Sequence, residues 1–338
     1  MKLLIITQSV DKNYVPLCFF EGWLREFGKQ CEKVTVIAQQ RGEYDLPENV
    51  NVLTLKKEDG LARPLQIFRA LGLMWKHRKE YEAVFVHMTP IWIVIGAPLW
   101  ILLRRRMYLW YEIKTARWPL KLAVHLVKKV FSASTGGMPL KTKRSVLTGH
   151  GIDIETFKLT DEQRDPHQII TVGRITGAKR LDLILRGFAS LPQEYKMSVI
   201  GVTITDDDRN VIASLKEQVE KNGLHERVTF GTVPDEDLVR LLNQASLFMH
   251  ASERTSLDKA PLQAMACGCM IVSSSDVVQP FLPEACKANP DELGTRAAEL
   301  LALSVDEQER LRNELRESVV SNHSLPSLIE RLVGEMKI

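Results

Sequence analysis

Short, unbroken apolar runs alternate along this chain with longer stretches of helical spacing. Residues 3–7 form the first run, which reads as a strand buried on both faces. Helical spacing over 19–27 follows, then a strand over 34–38, a helix over 65–78 and a strand over 83–87. Strands are predicted over 107–111 and 130–134, with a helix over 120–129 between them. The alternation restarts at 169–172 and runs through strands over 198–200, 228–230, 247–250 and 270–272. Helices over 181–188, 211–221, 235–244 and 293–301 separate or follow them, and the tail over 311–338 is helical with a break near 323–326. Strands alternating with helices predict parallel sheets with helical crossovers, and two such series predict two doubly wound units.

Between the two series the periodicity lapses over 145–167, which places a domain junction there. The expected division is 1–155 and 156–323, with the helix over 324–338 packing back on the first domain. Two such units are expected to face each other across a cleft at their switch points.

Composition adds little until it is divided. The 338 residues suffice for two cores, and 45% hydrophobic with 26% charged residues excludes a disordered or fibrous chain. The net charge of +3 conceals an asymmetry: residues 1–155 carry 24 Lys/Arg against 14 Asp/Glu, and residues 156–338 carry 21 against 28. A basic half beside an acidic half suggests a face that meets something anionic, or else chance clustering of solvated charge. The five cysteines lack paired metal spacing and fit a reduced, cytoplasmic setting. The first apolar run is too short for the core of a secretory leader.

Two stretches carry candidate chemistry. Residues 252–273 read as a polar turn, a short helix capped by Ser256 or Asp258, a terminator at Gly268 and a buried strand. Such a turn aims backbone N–H groups and a helix dipole at one point, and it equally describes an ordinary crossover. Residues 172–180 end a strand and open a helix. There Gly173 allows close backbone approach, while Arg174 and Lys179 supply two cations suited to a diphosphate leaving group. No G-x-G-x-x-G follows the first strand, where the loop begins Gln8-Ser9-Val10-Asp11, so a dinucleotide oxidoreductase is not expected.

Four motifs together resemble the GT-B glycosyltransferases of family 4, in particular small bacterial members. They are Gly149-His150-Gly151-Ile152-Asp153, Val172-Gly173-Arg174 with Lys179-Arg180-Leu181-Asp182, Val228-Thr229-Phe230-Gly231-Thr232-Val233, and Ala264-Met265-Ala266-Cys267-Gly268. The resemblance implies an α/β GT-B architecture of two Rossmann-like domains. It also implies a nucleotide-sugar donor in the C-terminal domain, UDP- or GDP-linked, with retention at the anomeric carbon and neither a cofactor nor a required metal. By position, Arg174 and Lys179 would hold the donor diphosphate at Gly173, and Thr232 and Val233 would line the base pocket. Thr255, Ser256, Leu257 and Asp258 would face the sugar and phosphates, and Gln263 would meet the ribose. Gln8 and Asp11, after the first strand, are candidates for the substrate side of the N-terminal domain.

This chain departs from the family pattern twice. The family's two glutamates, eight positions apart, correspond to Thr255 and Gln263, with Glu253 out of register. Related small members also have Ser-Leu-Asp-Lys without the first glutamate. Relatives place a histidine two residues beyond the strand that ends at Tyr111; here Glu112-Ile113 stands instead. His87, at the end of its own strand, is the nearest substitute, or else a structural strand-end histidine. Asp206-Asp207-Asp208 reads as a solvated helix start rather than a metal site.

The expected activity is therefore transfer of a sugar from a nucleotide diphosphate to an envelope glycan or a lipid-linked acceptor. The alternatives are a GT-B protein that binds a nucleotide or partner without turnover, and a sugar-nucleotide epimerase. Residues 91–103 are apolar but too short to span a bilayer, and they run into Arg104-Arg105-Arg106. With the aromatic and basic residues over 65–79 they describe either a face resting on an anionic inner membrane surface or two core helices with charged ends. No nucleic-acid-binding motif is present.

Overall fold

The computed structural model describes residues 1–14, 17–253 and 256–337. The chain divides into two compact units, one of Met1–Gly151 with Leu325–Ile338 and one of Ile152–Ser324.

The first unit is built on seven strands: Lys2–Val10 (β1), Lys33–Arg41 (β2), Val50–Thr54 (β3), Ala83–His87 (β4), Arg106–Trp110 (β5), Lys129–Ser132 (β6) and Ser145–Leu147 (β7). They pair in parallel in the order β3-β2-β1-β4-β5-β6-β7, the doubly wound order whose reversal lies between β1 and β4. Helices Phe20–Gln30 (α1), Arg63–Lys76 (α2), Ile91–Leu102 (α3) and Trp118–Leu126 (α4) make the crossovers. Successive side chains of β1 explain the two-sided burial: Leu3 and Ile5 join the core under α1, while Leu4 and Ile6 join the core under α2, α3 and α4.

The second unit repeats the plan. Its strands are Asp165–Val172 (β8), Lys196–Ile200 (β9), Val228–Gly231 (β10), Ala245–His250 (β11) and Met270–Ser273 (β12), ordered β10-β9-β8-β11-β12. Helices Leu181–Ala189 (α5), Asp206–Lys221 (α6), Asp235–Gln244 (α7) and Lys259–Ala266 (α8) connect them. Leu293–Leu301 (α9) and Val305–His323 (α10) follow. One core runs through it, from Ile169 and Phe188 to Met249, Leu262 and Val272.

Leu325–Lys337 (α11) leaves this second unit and completes the first. Its buried line of Leu325, Leu328, Ile329, Leu332, Val333 and Met336 joins the core of Trp23, Phe27 and Phe85. Tyr108 donates its hydroxyl to Met336 O at 2.9 Å, and Lys129 Nζ meets Glu335 at 2.5 Å. Pro326 explains the break before it, since proline is tolerated in a first turn but ends the preceding helix.

The structure refines three expectations. β3 has half-alternating, half-polar residues and is not evident as a strand until it pairs with β2. The helix expected over 120–129 stops at Leu126, because Val127 is extended and Lys129 already belongs to β6. Asp208 is not a solvated residue of a helix start: it lies inside the first turn of α6 and is buried.

Candidate functional site

Three glycines line the carboxyl ends of neighbouring strands: Gly173 after β8, Gly201 after β9 and Gly231 closing β10. A Cβ on Gly201 would lie 2.0 Å from the carbonyl oxygen of Gly173, so the two backbones approach as only glycine allows. Gly173 itself has φ of +150°. Backbone pairing continues past the strands, with Gly173 N–H donating to Ile200 O and Ile175 N–H to Val202 O, both at 3.0 Å. The result is a strand end bare of side chains, followed by a single tight turn, Gly177–Lys179, and then α5.

Two cations stand over this edge, each held by its own carboxylate. Arg174 donates from Nε to Asp208 Oδ2 at 2.8 Å, and its terminal nitrogen lies 2.8 Å from the same oxygen. That oxygen also accepts from the backbone of Ile204 at 2.8 Å and of Thr205 at 3.1 Å. Burial works to raise the Asp208 pKa, but the two backbone donors and the guanidinium outweigh it and hold the carboxyl well below its ordinary range. Thr205 and Asp208 form a capping box at α6, so one carboxylate both starts the helix and aims Arg174.

Lys179 is more enclosed. Its Nζ lies 2.6 Å from Asp258 Oδ2, with side-chain exposures of 12% and 9%. The aliphatic end of Lys179 packs over Gly173, 3.5 Å from where a Cβ would be. The same Asp258 oxygen lies 3.3 Å from His250 Nε2, and His250 Nδ1 lies 2.9 Å from Ser273 Oγ, which accepts from Ser275 N–H at 3.1 Å. Burial lowers the His250 pKa more than Asp258 raises it, so the ring is neutral. Donor and acceptor bookkeeping then fixes its tautomer: Nε2–H donates to the carboxylate, and Nδ1 accepts from Ser273. Burial tends to raise the Asp258 pKa, but the His250 bond and the Lys179 charge hold it well below the ordinary carboxylate range.

Asp258 occupies the N-cap of α8 but makes no side-chain cap bond. The capping role expected of it gives way to Lys179 and His250, because a buried ammonium needs a full counter-charge more than a helix needs one cap. Thr255 lies outside the described residues. Leu257 is buried, Ser256 and Gln263 are half-buried, and Thr232 is exposed with its hydroxyl donating to Gly201 O at 2.8 Å. Val233 packs against the core. Within the second unit, Gly173, Lys179 and Asp258 therefore converge with His250, and Arg174 and Thr232 belong to the same strand-end loops. His250 and Ser273 were not singled out from the sequence, and Asp208 was read there only as part of a solvated helix start. The spacing Thr205-x-x-Asp208 and the position of His250 at the end of a central strand were the signals available.

In the first unit, Gln8 is exposed and Asp11 is half-buried, its carboxylate accepting from Asn13 N–H at 2.9 Å. His87 ends β4 fully enclosed. It stacks on Phe20 at 4.2 Å between ring centres, and its Nδ1 lies 3.3 Å from Thr7 Oγ1.

Glu112 has a definite task. Its carboxylate accepts from Ser132 Oγ at 2.7 Å, Ala133 N–H at 2.6 Å and Ser134 Oγ at 2.7 Å, tying the end of β5 to the loop after β6. Ile113 beside it is 40% exposed. Replacing Glu112 with Ala removes the shared acceptor of this clamp, the Ala133 N–H bond above all, and is expected to cost about 2–3 kcal/mol, whereas Gln is expected to cost under about 1 kcal/mol. Chemical denaturation of the two variants checks this, and equal stability of Ala and Gln refutes it.

Burial pushes the thiols of Cys267, Cys269 and Cys286 up to about 12, so they serve as small core residues rather than nucleophiles. Among the described residues, no cluster of His, Cys, Asp and Glu is arranged to hold a metal ion.

Comparison with known proteins finds a family likeness in the second unit and a likeness of fold over the whole chain. The family model described as "Glycosyl transferases group 1" matches residues 153–316. Mannosylfructose-phosphate synthase of Agrobacterium fabrum is 30% identical over 106 residues, which cover 30% of this chain and 23% of that protein. The chain thus spans under a quarter of the length of this curated relative. Among solved structures, Anabaena Alr3699/HepE in complex with UDP superposes with a TM-score of 0.74 at 17% identity, covering 100% of both chains. Sucrose-phosphate synthase from Thermosynechococcus elongatus superposes at 0.72 with 14% identity, covering 100% of this chain and 98% of that one. At these identities the likeness is one of fold, the GT-B plan of two Rossmann-like units.

Proposed function

From the match of residues 153–316 to the glycosyl transferases group 1 model, we propose that this chain is a glycosyltransferase using a nucleotide-diphosphate sugar. The observation that carries the reading is the glycine-lined strand end with Arg174 and Lys179 fixed over it by buried carboxylates. A diphosphate gains negative charge as the sugar bond breaks. Cations already oriented by fixed carboxylate partners stabilise that charge without reorganising. The donor is a UDP-sugar, in keeping with the UDP and UDP-glucose complexes of HepE.

Transfer proceeds with retention at the anomeric carbon and without a metal. The acceptor is an envelope glycan or lipid-linked precursor, a partner consistent with the positive balance of the first 155 residues. Gln263, where the family has a glutamate, favours a second reading: nucleotide binding without turnover. A donor-hydrolysis assay separates the two, and the anomer of the product tests retention.

The direct test is thermal. A nucleoside diphosphate at about a hundred times its Kd stabilises a binding protein by about 2.7 kcal/mol, a rise of several degrees in Tm. UDP is expected to produce that rise and to exceed GDP and ADP. No shift with any of the three removes donor binding altogether.

A further inference from the structure

The helical layer of the first unit carries apolar side chains on both of its faces. α2 buries Gln66, Ala70 and Met74 against the sheet, yet its outward line is Leu65, Phe68 and Trp75. Phe68 is 73% exposed. α3 and α4, which share the same core, extend this surface with Ile101, Leu102, Trp118 and Leu122, and Leu102 is also 73% exposed. Isolated exposed apolar residues are ordinary, but three neighbouring helices that all turn large apolar side chains outward are not.

The charge on this layer is one-sided. Residues 61–144 contain 16 Lys/Arg and three acids, Glu80, Glu82 and Glu112. All three acids are engaged elsewhere: Glu80 with Lys33 and His77, Glu82 with the Lys2 backbone, and Glu112 in its serine clamp. Lys76, Lys79, Arg104, Arg117 and Lys121 form no ion pair with a described residue. Arg78 lies over the Trp75 ring at 4.3 Å, and Arg105 donates to Arg78 O at 2.9 Å, which joins the ends of α2 and α3 into one basic, aromatic corner.

We propose that the outer face of α2, α3 and α4 docks on an anionic lipid bilayer. Charge complementarity selects this occupant: a surface both apolar and without free acids matches an interface that offers acyl chains beneath a sheet of phosphate. Long basic side chains reach the headgroups while Phe68, Leu102 and Trp118 enter the acyl boundary. The protein lies on the membrane rather than spanning it, since no helix among the described residues is long and apolar enough to cross. α3 would reach only about 18 Å against a hydrocarbon thickness of about 30 Å. All of these residues belong to the first unit, so the inference stands independently of the donor site in the second.

The test is vesicle sedimentation with phosphatidylcholine alone and with phosphatidylglycerol added. The full chain is expected to sediment with the anionic vesicles and to be released by salt. Lys76→Ser, Arg104→Ser and Lys121→Ser together are expected to weaken binding about a hundredfold, at about fivefold per charge. Phe68→Ser with Leu102→Ser is expected to weaken it at constant charge. Both variants are expected to keep the wild-type Tm and far-ultraviolet circular dichroism, which certifies their fold whether or not the donor reading holds. The proposal is overturned by equal binding to neutral vesicles or by anionic binding that neither variant changes. It is likewise overturned if the wild type self-associates through this face and Phe68→Ser makes it monomeric.

Discussion

Arg174→Ala combined with Lys179→Ala is expected to lower kcat/KM for sugar transfer by about four orders of magnitude or more. Removing one preorganised charge donor at a developing anion costs about two to three orders, and the two cations sit on one turn with separate carboxylate partners, so their losses accumulate. The loss should fall mainly on kcat, because the leaving diphosphate carries more charge in the transition state than in the bound donor. The UDP-induced rise in Tm should vanish with it. Arg174→Ala alone provides the control for folding: Asp208 keeps its two backbone donors at 2.8 and 3.1 Å, so the variant is expected to fold and still lose about a hundredfold or more. If the double variant transfers sugar within tenfold of the wild type, the two cations are not the diphosphate site.

Asp258→Ala is expected to destabilise the second unit by about 3–5 kcal/mol, because it strands the Lys179 ammonium in a site where 12% of its side chain is exposed. Adding Lys179→Met should recover most of that loss, since a buried pair replaced by apolar groups is often neutral. Recovery identifies the uncompensated charge as the cause. If the double variant is as unstable as the single one, the defect lies in α8 and not in the ion pair.

The same network sets a pH dependence. Asp258 and His250 both have folded pKa values depressed below their unfolded ones, so the unfolded chain binds protons first as pH falls. Stability is therefore full above about pH 6.5 and declines below it as His250 titrates, then more steeply below about pH 4 as Asp258 does. His250→Gln, which can still donate to Asp258, should flatten the upper part of that decline in a plot of Tm against pH. A variant whose profile matches the wild type between pH 4 and 6.5 would show that His250 is not the group responsible.

Much of the molecule was legible from local pattern. Unbroken apolar runs marked the strands of both sheets except β3 and β7 at the far positions of the first, because a strand covered on both faces has no polar side to show. The glycine, arginine and lysine over 173–179 stood out because their spacing along one turn is a local property. The break at Pro326 was visible for the same reason. The family resemblance rested on segments of this kind, and residues 153–316 carried most of it.

What tertiary structure decided were pairings between residues far apart in the chain. Asp208 lies 34 residues from Arg174, and Asp258, in the loop after β11, meets Lys179 in the loop after the neighbouring β8, so each partner depends on strand order and register rather than on any periodicity. Asp258 looked like a helix cap because caps are local, and only the fold brings an ammonium and an imidazole to it. The facing of α2 was undetermined in the same sense. Both the Gln66-Ala70-Met74 line and the Leu65-Phe68-Trp75 line have helical spacing, so the sequence fixes the helix but not its buried side. The fold makes that choice by seating Ala70 and Met74 in the core that also holds Leu4, Ile6 and Ile37, which leaves Leu65, Phe68 and Trp75 facing outward.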